Sequence, residues 1–141
     1  MNLPDFHLPP AFEQFAKFCV VGTIGFVADA GTLYLLMAVA SLDPYTGRIF
    51  SFLFAATVTW TLNRDYTFRS SVPAPRTRQW ARFVTANAVG GALNYGVYSA
   101  LILSGGWFIK APVLAVAVGS IAGLAFNFTV SRKFVFKLRA S

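Results

Sequence analysis

Acidic residues, cysteine and histidine are scarce in this sequence, and each scarcity removes a class of function. Only five of its 141 residues are Asp or Glu, which leaves little for a membrane glycosyltransferase. Cys19 is the sole cysteine, so an intrachain disulfide and a cysteine-bound metal are both excluded. Its expected role is that of a small buried apolar residue. His7, the one histidine, stands in a leader with Pro4, Pro9 and Pro10 and is assigned no chemistry. There is no P-loop, no Ser/His/Asp set and no metal-ligand cluster. The sequence therefore reads as non-enzymatic, with no metal and no cofactor. Charge is short too, at 12% of residues where a soluble domain carries about 25%.

Hydrophobic residues make up 56% of the chain and its mean hydropathy is +0.59, values that fit a small polytopic membrane protein. Residues 1–141 are expected to form a single integral membrane domain. A cleavable signal is not expected: the first apolar run is too long for an h-region, and no small-residue cleavage site follows it. The net charge of +7 raises nucleic acid as a partner. The basic residues, however, cluster at the ends of apolar runs and form no continuous basic face, so nucleic acid is excluded. Placed there, they set topology and attract anionic lipid headgroups.

Four transmembrane helices are expected, over about 18–40, 47–62, 83–103 and 112–130. Phe12, Phe15, Phe18 and Cys19 fall at helical spacing and predict an interfacial turn before the first. Ser41-Leu42-Asp43-Pro44-Tyr45 breaks the first pair, with Pro44 ending the helix and Tyr45 suited to the headgroup level. A polar connection runs from Arg64 to Gln79, and Ser104-Gly105-Gly106-Trp107 turns the second pair. Trp60 and Tyr66 are placed to anchor the far end of the short second span. Lys17, Arg64, Arg69, Arg76, Arg78, Arg82, Arg132, Lys133, Lys137 and Arg139 lie on one side of this layout, and Arg48 and Lys110 on the other. That asymmetry puts both termini and the central loop in the cytoplasm.

The sequence also echoes itself. Phe15-Ala16-Lys17-Phe18 returns as Trp80-Ala81-Arg82-Phe83, an offset of 65 that also pairs Gly25 with Gly90, Gly31 with Gly96, and Asp29 with Asn94. Asn63-Arg64-Asp65-Tyr66-Thr67-Phe68-Arg69 returns as Ser131-Arg132-Lys133-Phe134-Val135-Phe136-Lys137, at an offset of 68. Two parallel two-helix repeats are expected, at about 12–70 and 77–138, related by an axis along the membrane normal.

Asp29 is the acidic anomaly. It lies in a 23-residue run without other charge, 12 residues past Lys17. That is a depth of about 18 Å, where a carboxylate costs about 2.5–3.5 kcal/mol. Gly22, Gly25, Asp29 and Thr32 share one helical face, and Asn87, Gly90 or Gly91, and Asn94 repeat it. Thr59 and Asn63 mark the second span; Ser120, Gly123, Asn127 and Ser131 mark the fourth. Asp29, Asn87, Asn94, Asn127 and Thr59 are thus candidates for an intramembrane polar path. Helix packing by small and polar residues, including the Gly119-x-x-x-Gly123 motif, is the structural alternative. Asn63 and Arg64, with Arg132 and Lys133, recur once per repeat beside Tyr66, Phe68, Phe134 and Phe136, and are candidates for phosphate-headgroup binding.

The pattern Phe18-x-x-x-Gly22-x-x-Gly25-x-x-x-Asp29, followed by Asn63-Arg64-Asp65-Tyr66-Thr67-Phe68, resembles the GtrA-like family. Phe83…Asn94 and Asn127…Arg132-Lys133-Phe134-Val135-Phe136 extend the likeness over about residues 12–138. The resemblance implies a four-span protein of the bacterial inner membrane that serves polysaccharide synthesis. Such proteins are proposed to flip a polyprenyl-phosphate-linked sugar, such as undecaprenyl-phosphate glucose, beside a partner glycosyltransferase. By position, Asp29, Asn63, Arg64, Arg132 and Lys133 carry the family motifs, whereas Asp65 stands where a basic or polar residue is common. A small multidrug-type proton-coupled exporter is disfavoured by the charge bias. A non-transporting anchor for a glycosyltransferase is the other alternative. The glycine-rich faces also predict self-association into a homo-oligomer.

Overall fold

Prolines set where the helices begin. In this computed structural model, which describes residues 9–69 and 71–137, Pro10 opens α1 (Pro10–Ala38) at a position where a missing N–H costs nothing. The backbone N–H groups of Phe12 and Glu13 return to the Pro9 carbonyl. Nothing breaks the helix after that, so the interfacial turn expected at 12–19 is the first part of one 29-residue helix. Pro44 likewise opens α2 (Pro44–Leu62); α1 has already ended at Ala38, so Pro44 starts a helix and does not, as expected, end the one before it. Asp43 caps that start: its Oδ1 accepts from the Thr46 N–H at 3.1 Å and its carbonyl accepts from Gly47 at 2.9 Å. The backbone reverses through Ser41, whose φ of 52° is unusual for a residue with a side chain. The leader around His7, Arg139 and the Tyr45 side chain lie outside the described residues.

Two compact units divide at Arg69 and Ser70. The first holds α1, α2 and a π-helical turn at Asn63–Thr67, closed by the Phe68 N–H to the Asn63 carbonyl at 2.8 Å. The second holds α3 (Arg76–Leu103), the short α4 (Trp107–Lys110) and α5 (Pro112–Val130). It ends in a π-helical turn at Ser131–Val135, closed by the Phe136 N–H to the Ser131 carbonyl, also at 2.8 Å. Helix α3 begins at Arg76, after Pro75, and so absorbs Arg78, Gln79 and Arg82, which the sequence had assigned to a loop or its edge. Gly105 and Gly106 take the left-handed conformations (φ 79° and 65°) that turn α3 towards α5.

Each unit is held by the same kinds of contact. Within the first, Phe18 and Phe68 meet edge to face with centroids 6.2 Å apart; within the second, Phe83 and Phe136 do so at 5.8 Å. Gly25 lies so close to Thr59 that a Cβ there would stand 2.3 Å from the threonine methyl carbon. Gly90 stands in the same relation to Asn127, whose Oδ1 would be 1.9 Å from an added Cβ. Thr59 and Asn127 differ in number by 68, Gly25 and Gly90 by 65.

The surface is inverted relative to a soluble protein. Phe26, Val39, Leu103 and Trp107 are 72–86% exposed, while Ser51, Asn63, Gln79 and Ser131 are at most 2% exposed. Apolar side chains face outwards and polar ones inwards, as in a chain solvated by lipid. Helix α1, and α5 together with its π-turn (Pro112–Val135), are long and apolar enough to cross a bilayer. Helices α2 and α3 fall short of that mark; α3 is diluted by Arg76, Arg78, Gln79, Arg82, Asn87 and Asn94.

The Gly119-x-x-x-Gly123 motif is spent inside the second unit. A Cβ on Gly119 would lie 2.6 Å from the backbone oxygen of Asn94, and one on Gly123 would lie 2.9 Å from that of Gly90. Gly119→Ala is therefore expected to lower the unfolding free energy in detergent by about 1–3 kcal/mol. Gly91→Ala meets open space on the same unit and is expected to raise it by up to about 1 kcal/mol. Denaturant titration of the two variants beside the parent checks the contrast.

Candidate functional site

Asp29 has a partner that the sequence did not offer it. The Arg48 guanidinium Nη1, from the start of α2, donates to Asp29 Oδ2 and forms an ion pair within the first hairpin. Counted from the turn, the two residues differ in height by about five residues, or about 7 Å. A guanidinium on its three-methylene stem spans that distance. Arg48 was read only as a topology marker for the far side of the membrane. Its distance along the chain from Asp29, 19 residues, hides the pairing, although the hairpin around Ser41 brings the two together. The second carboxylate oxygen, Oδ1, is buried and accepts no hydrogen bond.

The remaining polar candidates divide into engaged and unengaged groups. The Thr59 hydroxyl donates to the Ala55 carbonyl at 2.9 Å, and only its methyl faces Gly25. Asn87 Nδ2 donates to the Phe83 carbonyl at 2.8 Å. Both side chains are therefore tied to their own helices. Asn94 and Asn127 lie on the seam between α3 and α5, Asn94 against Gly119 and Gly123, Asn127 against Gly90. Asn127 Oδ1 is buried without a donor. On α1 the buried line is Phe18, Val21 and Gly25. Gly22, expected on that face, is exposed with open space before it, because packing follows the i, i+3, i+7 line from Phe18.

The π-turns place the basic candidates. A π-turn widens the helix by one residue and commonly occurs at functional sites. Asn63 and Ser131 open the two turns, both buried, and Asn63 Oδ1 and Ser131 Oγ lack partners among the described residues. Arg64 is half-buried and stacks over the Trp60 ring at 5.7 Å, one helical turn back. Lys17 lies over the Tyr66 ring at 5.1 Å. Arg132 is half-buried and Lys133 is exposed. Within the first unit, Arg64 thus packs on Trp60, and the Tyr66 ring expected beside it carries Lys17.

A search against known protein families matches residues 17–136 to the family described as GtrA/DPMS, transmembrane domain. The chain belongs to that family. The match spans both hairpins and both π-turns, so this GtrA/DPMS domain is a helical membrane protein along most of its length. No curated protein matches it.

Sequence reasoning also missed a cationic cavity in the second unit of this GtrA/DPMS domain. It has a volume of about 270 Å³ and is walled by the 72–75 loop, Arg78, Gln79, Arg82, Val135 and Lys137. The charges were legible; their convergence was not, because α3 was expected to begin only at residue 83.

The Asp29–Arg48 pair gives a direct test. Removing Arg48 leaves a half-buried carboxylate unpaired, whereas removing both charges does not. A double-mutant cycle of Asp29→Asn and Arg48→Gln, measured by denaturation in detergent, should show a coupling of about 1–2 kcal/mol. Additive effects would mean that the pair contributes nothing.

Proposed function

We propose that this protein moves a polyprenyl-phosphate-linked sugar, such as undecaprenyl-phosphate glucose, between the leaflets of the bacterial inner membrane. The product would serve cell-surface polysaccharide or lipopolysaccharide modification. The chain would cross four times, with both termini cytoplasmic, as two hairpins descended from one duplicated unit. Repeated burial supports the duplication: Phe18 and Phe83, Gly25 and Gly90, Asn63 and Ser131, and Phe68 and Phe136 are buried in both halves. The ten-to-two distribution of basic residues supports the orientation.

The observation that carries the reading is the unpaired acceptors within the hairpins of a family-assigned membrane domain. Asp29 Oδ1 and Asn127 Oδ1 are buried and accept nothing. In an apolar setting an unsatisfied acceptor is costly, and a sugar hydroxyl is a donor of suitable size. The lipid tail would stay in the bilayer while the sugar head passes these groups. Arg64, with Asn63 beside it in the first unit, and Arg132 and Lys133 at the π-turn of the second would draw the phosphate to the cytoplasmic face. Asp29 first accepts a sugar hydroxyl in this scheme; binding a proton is its second role. No covalent step is assigned to the protein. A glycosyltransferase that loads the lipid is the proposed partner, and a homo-oligomer the proposed assembly.

Asp29→Asn keeps the side-chain shape and removes the charge. In vesicles loaded with polyprenyl-phosphate glucose, transport should fall about tenfold, the scale of one charge-assisted hydrogen bond. A loss that is equal at all pH values supports sugar contact; a loss of pH dependence supports proton binding. Unchanged transport at every pH contradicts both roles. If the variant still binds its glycosyltransferase while surface glycan is lost, the anchor reading is excluded.

A further inference from the structure

The cationic cavity of the second unit adjoins an apolar one. A groove of about 440 Å³ runs along α3 and α5, lined mainly by Ala81, Thr85, Val89, Phe126 and Val130. Arg78, Arg82 and Val135 border both spaces. The two cavities thus form one amphipathic site with a charged end and a greasy end. The loop that closes the charged end is fixed, because the Val72 N–H donates to the Lys137 carbonyl at 2.9 Å. That bond holds the Lys137 backbone opposite Arg78 and Arg82.

The charges there have no acid to answer them. Asp5, Glu13, Asp29, Asp43 and Asp65 all precede residue 70, so the second unit contains no Asp or Glu at all. Arg78 and Arg82 stand one helical turn apart, where like charges repel. The matching positions of the first unit, 65 residues earlier, are Glu13 and Lys17. Those two form a salt bridge at 2.5 Å. The first unit therefore neutralises this position internally, while the second keeps two arginines; Lys137, which lines the same cavity, matches Arg69 of the first unit. Arg78, Arg82 and Lys137 all line this cavity, and such a set of cations matches a phosphate, which each arginine can grip with two N–H groups. Beyond Arg78 and Arg82 the groove is lined by uncharged residues leading away from that point, which matches a hydrocarbon chain.

We infer that Arg78, Arg82 and Lys137 hold the phosphate of a polyprenyl-phosphate lipid whose chain lies in the groove formed by Thr85, Val89, Phe126 and Val130. The choice of this lipid rests on the proposed function; the two-part chemistry of the site does not. The arginine pair is asymmetric: the matching positions of the first unit hold Glu13 and Lys17.

Equilibrium binding to the full-length protein in detergent tests this, with a fluorescent polyprenyl phosphate as probe. Arg78→Glu recreates with Arg82 the acid–base pair that the first unit already tolerates, so the helix has a native precedent. It should weaken binding at least tenfold. Val89→Trp fills the groove without touching a charge and should also weaken it several-fold. Phosphatidylglycerol and inorganic phosphate, each at the probe's concentration, should displace little of it. Equal competition by phosphatidylglycerol would overturn the assigned lipid, and equal competition by inorganic phosphate would overturn the role of the groove. Unchanged binding in Arg78→Glu would overturn the site itself. Arg78-dependent binding in a protein that moves no lipid between leaflets would refute transport and leave the site standing.

Discussion

Close approach of the two long helices in each hairpin is the constraint on which the structure depends. Gly25 admits the methyl of Thr59, and Gly90 admits the amide of Asn127, at separations that no side chain on the glycine would allow. In lipid there is little hydrophobic force between helices, so packing at short range and buried polar contacts must hold them together. Two small residues therefore fix the helix spacing. The spacing in turn fixes where Phe18 meets Phe68 and where Phe83 meets Phe136. Those ring pairs hold the π-turns, and the π-turns aim the basic residues. Asp29 and Asn94 lie one helical turn beyond the two glycines, so their places follow from the same contact.

The halves share this frame and differ in charge. The first hairpin pairs two of its carboxylates with cations, Glu13 with Lys17 and Asp29 with Arg48. The second carries cations and no Asp or Glu. A frame that appears twice with opposite electrostatic treatment permits two tasks in one small domain. The second unit is left strongly cationic, while the first keeps one buried carboxylate oxygen, Asp29 Oδ1, without a donor. Size makes this division useful, since 141 residues offer few interior positions.

Much of the fold was legible because membranes simplify the code. Long apolar runs, the proline and glycine punctuation and the offsets of 65 and 68 indicate helical hairpins directly. The site was less legible, for reasons of distance and register. Arg48 is 19 residues from Asp29, and no local pattern links them. Gly22 fits the spacing of the polar face yet is exposed, because the packed line runs through Phe18, Val21 and Gly25. Helix α3 begins seven residues before the expected start at 83. Its N-terminal turns are too polar for a hydropathy criterion, yet Pro75 marks the start. That extension turns Arg78 and Arg82 from loop charges into one wall of a cavity. Thr59 shows the opposite error: its hydroxyl, counted as part of a path, is bonded to its own helix.

Mapping the bound lipid itself tests the central claim most directly. A polyprenyl phosphate with a photoreactive group in its first isoprene units can be irradiated on the reconstituted protein, and the labelled residues identified by mass spectrometry. Labels should concentrate on Thr85, Val89, Phe126 and Val130, the groove residues next to Arg78 and Arg82. Labels spread evenly over the outward faces of α1 and α5, including Phe26 and Ile121, would show that the chain only dissolves in the surrounding lipid and would contradict the assignment.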